Sequence, residues 1–428
     1  MRMDHLQYHL NRRELLSGAA KLGAGAAATL GGMAVLGGAA EASGGHSHGG
    51  QSGAGEEVKV TGNYDDSLSV EGGLDGSWAK ETSARYGADD QRGTLNEVTA
   101  RKSARALRML EGASKVVTHN LGHLMVNAIP GYVTFPPRKY QQRLTQLGYT
   151  PNNPNFFSTT TRGIAGEDEW RREDRARGPL GYSQGAAPFG TNQLSGHEER
   201  FPEGGTYQLA TQLDGLAHIG VRETFYNGFK ANEFATPVGV AKLGIEHVGP
   251  IVTRGLLIDI LGYKQQHGTG DVQTVNGKPM LKDTYRITLE DIRATMKWER
   301  IRGIEKGDVV LIRTGWDSLA DDPSTYDKYL ATEPGIYIRE AKFLGDHYPA
   351  IIGADSWALE LVGPADPSGF AFPVHTELIP KRGIRIGEGI RTNSLAEEGI
   401  HKFVYVYMPQ YAWGATAGNT APVALTRG

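Results

Sequence analysis

The chain has 428 residues, 39% hydrophobic and 22% charged, the balance of an ordinary globular protein with room for one large domain or two to three smaller ones. Its formal net charge of −3 gives no reason to expect nucleic acid or an anionic membrane as a partner. It contains no cysteine, which excludes disulfides, thiolate zinc sites, cysteine nucleophiles and cysteine-ligated iron–sulfur clusters; any metal must sit on His, Asp, Glu or neutral oxygen donors.

The first 42 residues read as an address. Arg12 and Arg13 precede Leu15 and Leu16, a mildly apolar Gly/Ala stretch, and the small-x-small site Ala40-Glu41-Ala42. This order is that of a twin-arginine export signal cut near Ala42–Ser43, which places the mature protein in the periplasm or outside the cell. The stretch lacks the run of about 20 strongly apolar residues that a lasting anchor needs, so no stable membrane insertion is expected after cleavage. Residues 43–75 are rich in Gly and Ser and read as a flexible tail. A folded domain is expected over 76–428.

Apolar positions at helical spacing predict a helix over 96–112. "GYVTFPPRKY" (131–140) reads as an extended segment broken by Pro136 and Pro137. Residues 141–205 are polar, rich in Arg, Gly, Asn and Pro, and read as a long loop or insertion. Beyond residue 206 strands and helices alternate. "VTRGLLIDI" (252–260) is a buried strand, and "TLEDIRATMKWERI" (288–301) a helix opened by Thr288 with Asp291 three residues on. "GDVVLIRTGW" (307–316) holds a turn and strand, 338–347 a helix and 350–356 a short strand. Strand, helix and strand follow over 384–388, 395–400 and 403–409. This alternation predicts an α/β fold with a mixed central sheet, its chemistry on the loops that follow strands.

One short stretch stands out. "QLATQLDGLAH" (208–218) places Asp214 and His218 four apart, behind Gln208 and Gln212, also four apart. Alone, such a pair fits a metal site, acid/base chemistry or an exposed turn. His375, in the apolar segment "FPVHTELIP", needs a partner if buried. Glu388, ending the strand in "GIRIGEGI", needs a cation or donors, which an arginine would also supply. Asp355, after the strand in "IIGADS", is placed to orient a ligand.

From about 115 to 425 the chain resembles the cyclase/kynurenine formamidase family of metal-dependent hydrolases. That family's hallmark, H-x-G-T-H-x-D-x-P-x-H, aligns with Q-L-A-T-Q-L-D-G-L-A-H, so Thr211, Asp214 and His218 match while Gln208 and Gln212 stand in place of two histidines. The later blocks "RGLLIDI", "GDVVLIRTGW", "IIGADS", "VHTELIP…GIRIGE" and "GATAGNTAPVAL" follow in the family's order. The resemblance implies a swivelling β/β/α domain, a homodimer or homotetramer, and a divalent ion held by Asp214, His375 and Glu388. It makes His218 the proton carrier, and implies hydrolysis of a small-molecule amide, an N-formyl aryl amine, lactam or lactone.

An amide oxygen is a hard, neutral donor, so the glutamines favour Mn²⁺ or Mg²⁺ over Zn²⁺. One ion is expected, Mn²⁺ or Zn²⁺ with Mg²⁺ possible, with Gln212 as an optional ligand. Gln208, Thr211, Tyr226, Trp316 and Asp355 are expected around the substrate or behind the ligands. For Tyr226, Trp316 and Trp78 core packing is the stronger expectation, and His123 and His247 read as structural. A cyclase-like protein that has lost catalysis and binds a small molecule is the competing expectation.

Overall fold

The computed structural model describes residues 62–68, 77–79, 85–127, 129–131, 138–148, 195–200, 205–268, 270–363 and 369–428. The export signal, most of the 43–75 tail and the interior of the 141–205 segment lie outside the described residues. At the ends of that segment, Arg143–Gly148 and Ser195–Arg200 pair as an antiparallel ladder. None of the described helices is long and apolar enough to cross a membrane.

Nine strands form one mixed sheet: Val116–Asn120 (β1), Gln212–Asp214 (β2), Ile251–Asp259 (β3), Val309–Arg313 (β4), Ile351–Ala354 (β5), Arg385–Glu388 (β6), Lys402–Tyr407 (β7), Ala417–Gly418 (β8) and Val423–Arg427 (β9). Their order across the sheet is β1-β9-β7-β3-β4-β5-β6-β2-β8. The centre, β3-β4-β5-β6, is parallel, and every flanking pair is antiparallel. Parallel strands covered on both faces read as continuous apolar runs, and "VVLIR" and "IIGA" are of that kind, buried throughout β5 and through all but the last residue of β4.

The helices Ala100–Arg108 (α1), Leu289–Trp298 (α2), Ile338–Gly345 (α3) and Pro373–Arg382 (α4) accompany the sheet. The capping box at Thr288 and Asp291 forms as its spacing predicts, each side chain meeting the other's backbone N–H. Helix α1 is shorter than expected. Thr99 caps its start by accepting from Lys102 N, and residues 93–97 before it form a separate 3-10 turn. Helix α4 escaped the sequence reading, which saw two prolines. Pro373 occupies the first turn, where a missing N–H costs nothing.

Two large apolar clusters fill the core. One includes Leu256, Ile258, Val310, Ile312, Ile352 and Ile386, and the other Leu213, Leu257, Leu311, Ile351 and Tyr405. Alternation along the strands divides these side chains between clusters. The same alternation in β2 sends Leu213 into the core and leaves its neighbours Gln212 and Asp214 on the opposite face.

Candidate metal centre

The centre lies where β6 and β2 run side by side, Glu388 directly opposite Gln212. Asp214 ends β2 one alternate position on, so both side chains share a face with the Glu388 carboxylate. Gly389 turns the chain just after Glu388 with φ +56°, and a Cβ there would stand 2.6 Å from the Ala210 carbonyl oxygen. Thr211 pins this turn, its hydroxyl donating to Gly389 O at 2.5 Å and accepting from His123 N at 2.9 Å. Thr211 therefore acts behind the site by holding β6 to the β2 segment.

His375 arrives from α4. Glu360 holds it from behind, accepting from the N–H groups of Val374 and His375, both at 3.1 Å, and meeting the ring at Nδ1. One buried carboxylate thus starts the helix and aims the imidazole, leaving Nε2 facing the site. Glu360 was invisible to motif reading. The available signal was a lone charge in the apolar segment "WALELVG".

His375 Nε2 is 3.2 Å from Glu388 Oε1 and 3.6 Å from Asp214 Oδ2. In Asp214, His375 and Glu388, all buried, the possible ligand atoms lie within 4.8 Å of one another, the one such grouping of three or more among the described residues. Asp214 Oδ2 is buried and accepts no hydrogen bond; His218 Nε2, at 3.9 Å, is also out of reach. A buried acceptor without a donor is costly, and a cation answers it. Two carboxylates and one imidazole suit a divalent ion of the manganese or zinc kind, so the residues present fit the group.

The electrostatics agree. Burial pushes the Glu388 carboxyl up to about 7, with the charge of Asp214 adding to the effect. Burial also opposes ionisation of Asp214, but His218 and His375 outweigh it and keep that carboxyl below its ordinary value. His375 loses basicity by burial yet ends well above the usual imidazole range, because Asp214, Glu360 and Glu388 all favour its protonated form. A proton thus occupies the place a cation would take. His218 moves the other way, its pKa lowered chiefly by burial.

The glutamines do not present their oxygens to the site. Gln212 Nε2 donates to Glu388 Oε2 at 2.6 Å and to Gln208 Oε1 at 2.8 Å, with Asp214 Oδ1 more distant at 3.2 Å. Gln208 Nε2 lies 3.1 Å from His218 Nδ1. This corrects the expected amide-oxygen ligand. Carboxylates only accept, so the nitrogen of Gln212 is turned towards them.

A cavity of about 20 Å³, room for one small molecule such as water, adjoins the centre and is lined by Arg138, Gln208, Gln212, Tyr329, Trp357 and Glu388 among others. Arg138 is a second residue the sequence reading missed; its charge favours the anions of Asp214 and Glu388.

Other expected residues stand elsewhere. Trp316 is fully buried, its indole donating to Tyr329 O at 3.2 Å. Tyr226 packs in the larger core cluster and donates its hydroxyl to Asp90 Oδ2 at 2.8 Å. Neither lines the cavity, so of the two expectations core packing, the stronger, holds and a place beside a substrate does not. Asp355 is also corrected: it accepts from Thr314 N, Thr314 Oγ1 and Gly315 N and ties β4 to β5 instead of orienting a ligand. Trp78 packs with Leu68 and Ile338.

Residues 175–361 match the family model described as "Putative cyclase". Among solved structures, the chain is similar to a novel cyclase at 26% identity and TM-score 0.58, covering 81% of this chain and 98% of that one. It is also similar to isatin hydrolase A from Labrenzia aggregata bound to benzyl benzoate, at 16% identity and TM-score 0.46, over 76% of this chain and 100% of that one. Isatin hydrolase A from Ralstonia solanacearum gives 13% identity and TM-score 0.46, over 76% and 96%. No curated protein matches. His375 and Glu388 lie beyond the span matched by the cyclase model, whereas Asp214 and His218 lie within it.

Proposed function

We propose that the protein is a metal-dependent hydrolase of a small amide, with an N-formyl aryl amine, a lactam or a lactone as substrate. The observation that carries this reading is the buried trio Asp214, His375 and Glu388 with an acceptor oxygen that no donor meets. A divalent ion held there supplies Lewis acidity and makes hydroxide available at neutral pH. Asp214 and Glu388 contribute the charge that holds it, and Glu360 keeps His375 Nε2 aimed inward by occupying Nδ1. His218, on the turn after β2 with Nε2 3.9 Å from Asp214 Oδ2, is the proton carrier in this reading. Leu209, Leu330, Trp357 and Arg138 line the adjoining cavity, which has the size of the one water molecule that hydrolysis consumes.

Export by the twin-arginine route, a periplasmic or extracellular location and a homo-oligomeric state belong to the same proposal, on the sequence features that suggested them.

The test is elemental analysis of the purified protein together with a panel of aryl formamides, lactams and lactones. About one manganese or zinc per chain, absent from Asp214→Ala, with turnover of at least one member of the panel that follows metal content, is the expected result. A stoichiometrically metal-free native protein that binds such compounds without turning them over supports a non-catalytic binding protein instead.

A further inference from the structure

We infer that the cavity beneath α1 is a second binding site, which takes a small organic anion: an apolar body carrying one carboxylate or phosphate group. It shares no residue with the metal centre and does not rest on the hydrolase reading.

The cavity has a volume of about 250 Å³, against about 20 Å³ beside the metal centre. That approaches the range of about 300–1,000 Å³ usual for small-molecule sites. Helix α1 gives it Lys102, Arg105, Ala106 and, just past the helix end, Met109. These recur at spacings of three and four and so form one stripe along the helix. The sheet gives it Arg254 of β3 and Lys402 of β7. Arg254 lies opposite Val404 and Lys402 opposite Leu256, so both cations rise from one face of the sheet at diagonal positions. Glu305, in the turn before β4, is the one acid among the described lining residues. Strands β4 and β5 separate this β7–β3 pair from the β6–β2 pair that carries the metal centre.

An inner network takes up part of the positive charge. Asp308, fully buried, accepts from Lys102 Nζ at 2.5 Å and from Arg254 at 2.6 and 3.0 Å. Glu305 accepts from Lys102 Nζ at 3.0 Å and Arg105 at 3.1 Å, and pairs with Arg254 at 3.1 Å. Burial opposes ionisation of Glu305, but Arg254, Lys102 and Arg105 outweigh it and hold that carboxyl below its ordinary value. Three cations therefore meet two acids before Lys402 is counted. Lys402 stands at the exposed rim and meets no acid or acceptor among the described residues. Arg105 commits one guanidinium nitrogen to Glu305 and keeps the rest of its fork.

Positive charge in excess on a concave wall attracts an anion more strongly than it would in open water. Ala106 and Met109, with the aliphatic stems of the lysines and arginines, add apolar surface beside that charge. Inorganic phosphate leaves this surface and most of the volume to water. An anion with an aryl or alkyl body covers both, its oxygens at Arg105 and Lys402 and its body along α1.

The experiment is isothermal titration calorimetry of the zinc-loaded full chain with phenyl phosphate, benzoate, inorganic phosphate and benzyl alcohol, which separate the charge from the body. Saturable one-to-one binding of phenyl phosphate or benzoate is expected, the tighter of the two naming the charged group. It should be roughly 10-fold or more tighter than inorganic phosphate or benzyl alcohol, and weaken as salt rises. Lys402→Glu should weaken it roughly 10-fold or more. Because Lys402 pairs with nothing among the described residues, the denaturation midpoint of the unliganded variant should stay that of wild type. Ala106→Leu, which extends a side chain into the cavity, should remove the advantage of the organic anion over inorganic phosphate. Asp214→Ala, with its metal centre disabled, should bind as wild type does.

Binding lost in Asp214→Ala assigns the anion to the metal centre and overturns the inference. An affinity that Lys402→Glu leaves unchanged does the same. Inorganic phosphate bound as tightly as the organic anions means an adventitious ion only, and no saturable binding at millimolar ligand leaves the cavity to water; either result overturns the second site.

Discussion

Two acids at strand ends, Asp214 on β2 and Asp355 just past β5, are equally and completely buried, and the contrast between them shows what marks a binding site. Asp355, just past β5, is met on both oxygens: Thr314 N at 2.8 and 3.0 Å, Thr314 Oγ1 at 2.5 Å and Gly315 N at 2.7 Å. Asp214 has one side-chain donor at 3.2 Å on Oδ1 and none on Oδ2. Proton affinity does not separate them in the expected sense. Burial raises the Asp355 carboxyl despite its donors, whereas His218 and His375 hold Asp214 down. Counting donors does separate them. The first acid is finished by its own chain; the second is left for something the chain does not supply.

The comparison breaks most visibly by removing each acid in turn. Asp214→Ala should abolish metal content and turnover while leaving a folded protein, since it deletes an acceptor that lacked a donor. Asp355→Ala should do the reverse. It strands the buried N–H groups of Thr314 and Gly315, at about 1–3 kcal/mol for each unsatisfied group, yet metal per folded molecule should remain that of wild type. Urea unfolding and elemental analysis read the two effects separately. A stable Asp355→Ala that has lost its metal would move Asp355 into the site.

A smaller effect sharpens the same contrast. Glu360 resembles Asp355 in being satisfied, by two backbone N–H groups and the His375 ring, but its work is transmitted to a ligand. Glu360→Gln retains an acceptor and a similar shape while weakening the hold on Nδ1. Metal affinity by chelator competition should fall roughly 10- to 100-fold with little change in stability. An affinity identical to wild type would leave Glu360 as a helix cap only.

Most of the frame was legible in the sequence because it is written in local patterns. The apolar runs of β3, β4 and β5 and the Thr288/Asp291 box need only nearest neighbours to be read. The resemblance supplied the distant trio, and the fold brings Asp214, His375 and Glu388 within ligand distance of one another. What failed had no local signature. Glu360 matters through a contact made by α4, a helix obscured by Pro373 and Pro380. Gln212 was read by its oxygen, because ligand chemistry was sought where the two acids demand a donor.

The smallest effect is a dependence on pH that changes with metal. In the chelated protein the Glu388 carboxyl stands at about 7, against an ordinary value of 4.5, mainly through burial and then through the charge of Asp214. An acid whose folded pKa is raised binds more protons folded than unfolded, so its contribution to stability is fully present below about 4.5 and is lost as pH climbs through 7. Two and a half pH units correspond to about 3 kcal/mol as a ceiling, reduced where His375 gives up its own proton in step. Saturating metal removes the reason for the shift, because a cation favours the ionised carboxylate and adds binding energy to the folded state only. Denaturation midpoints from pH 5 to 8 should therefore decline for the chelated protein and hold or rise for the loaded one, with the decline abolished in Glu388→Gln. If the chelated and loaded proteins show parallel profiles, Glu388 does not face the ion, and the difference between a finished acid and an unfinished one fails at the residue where it should be most visible.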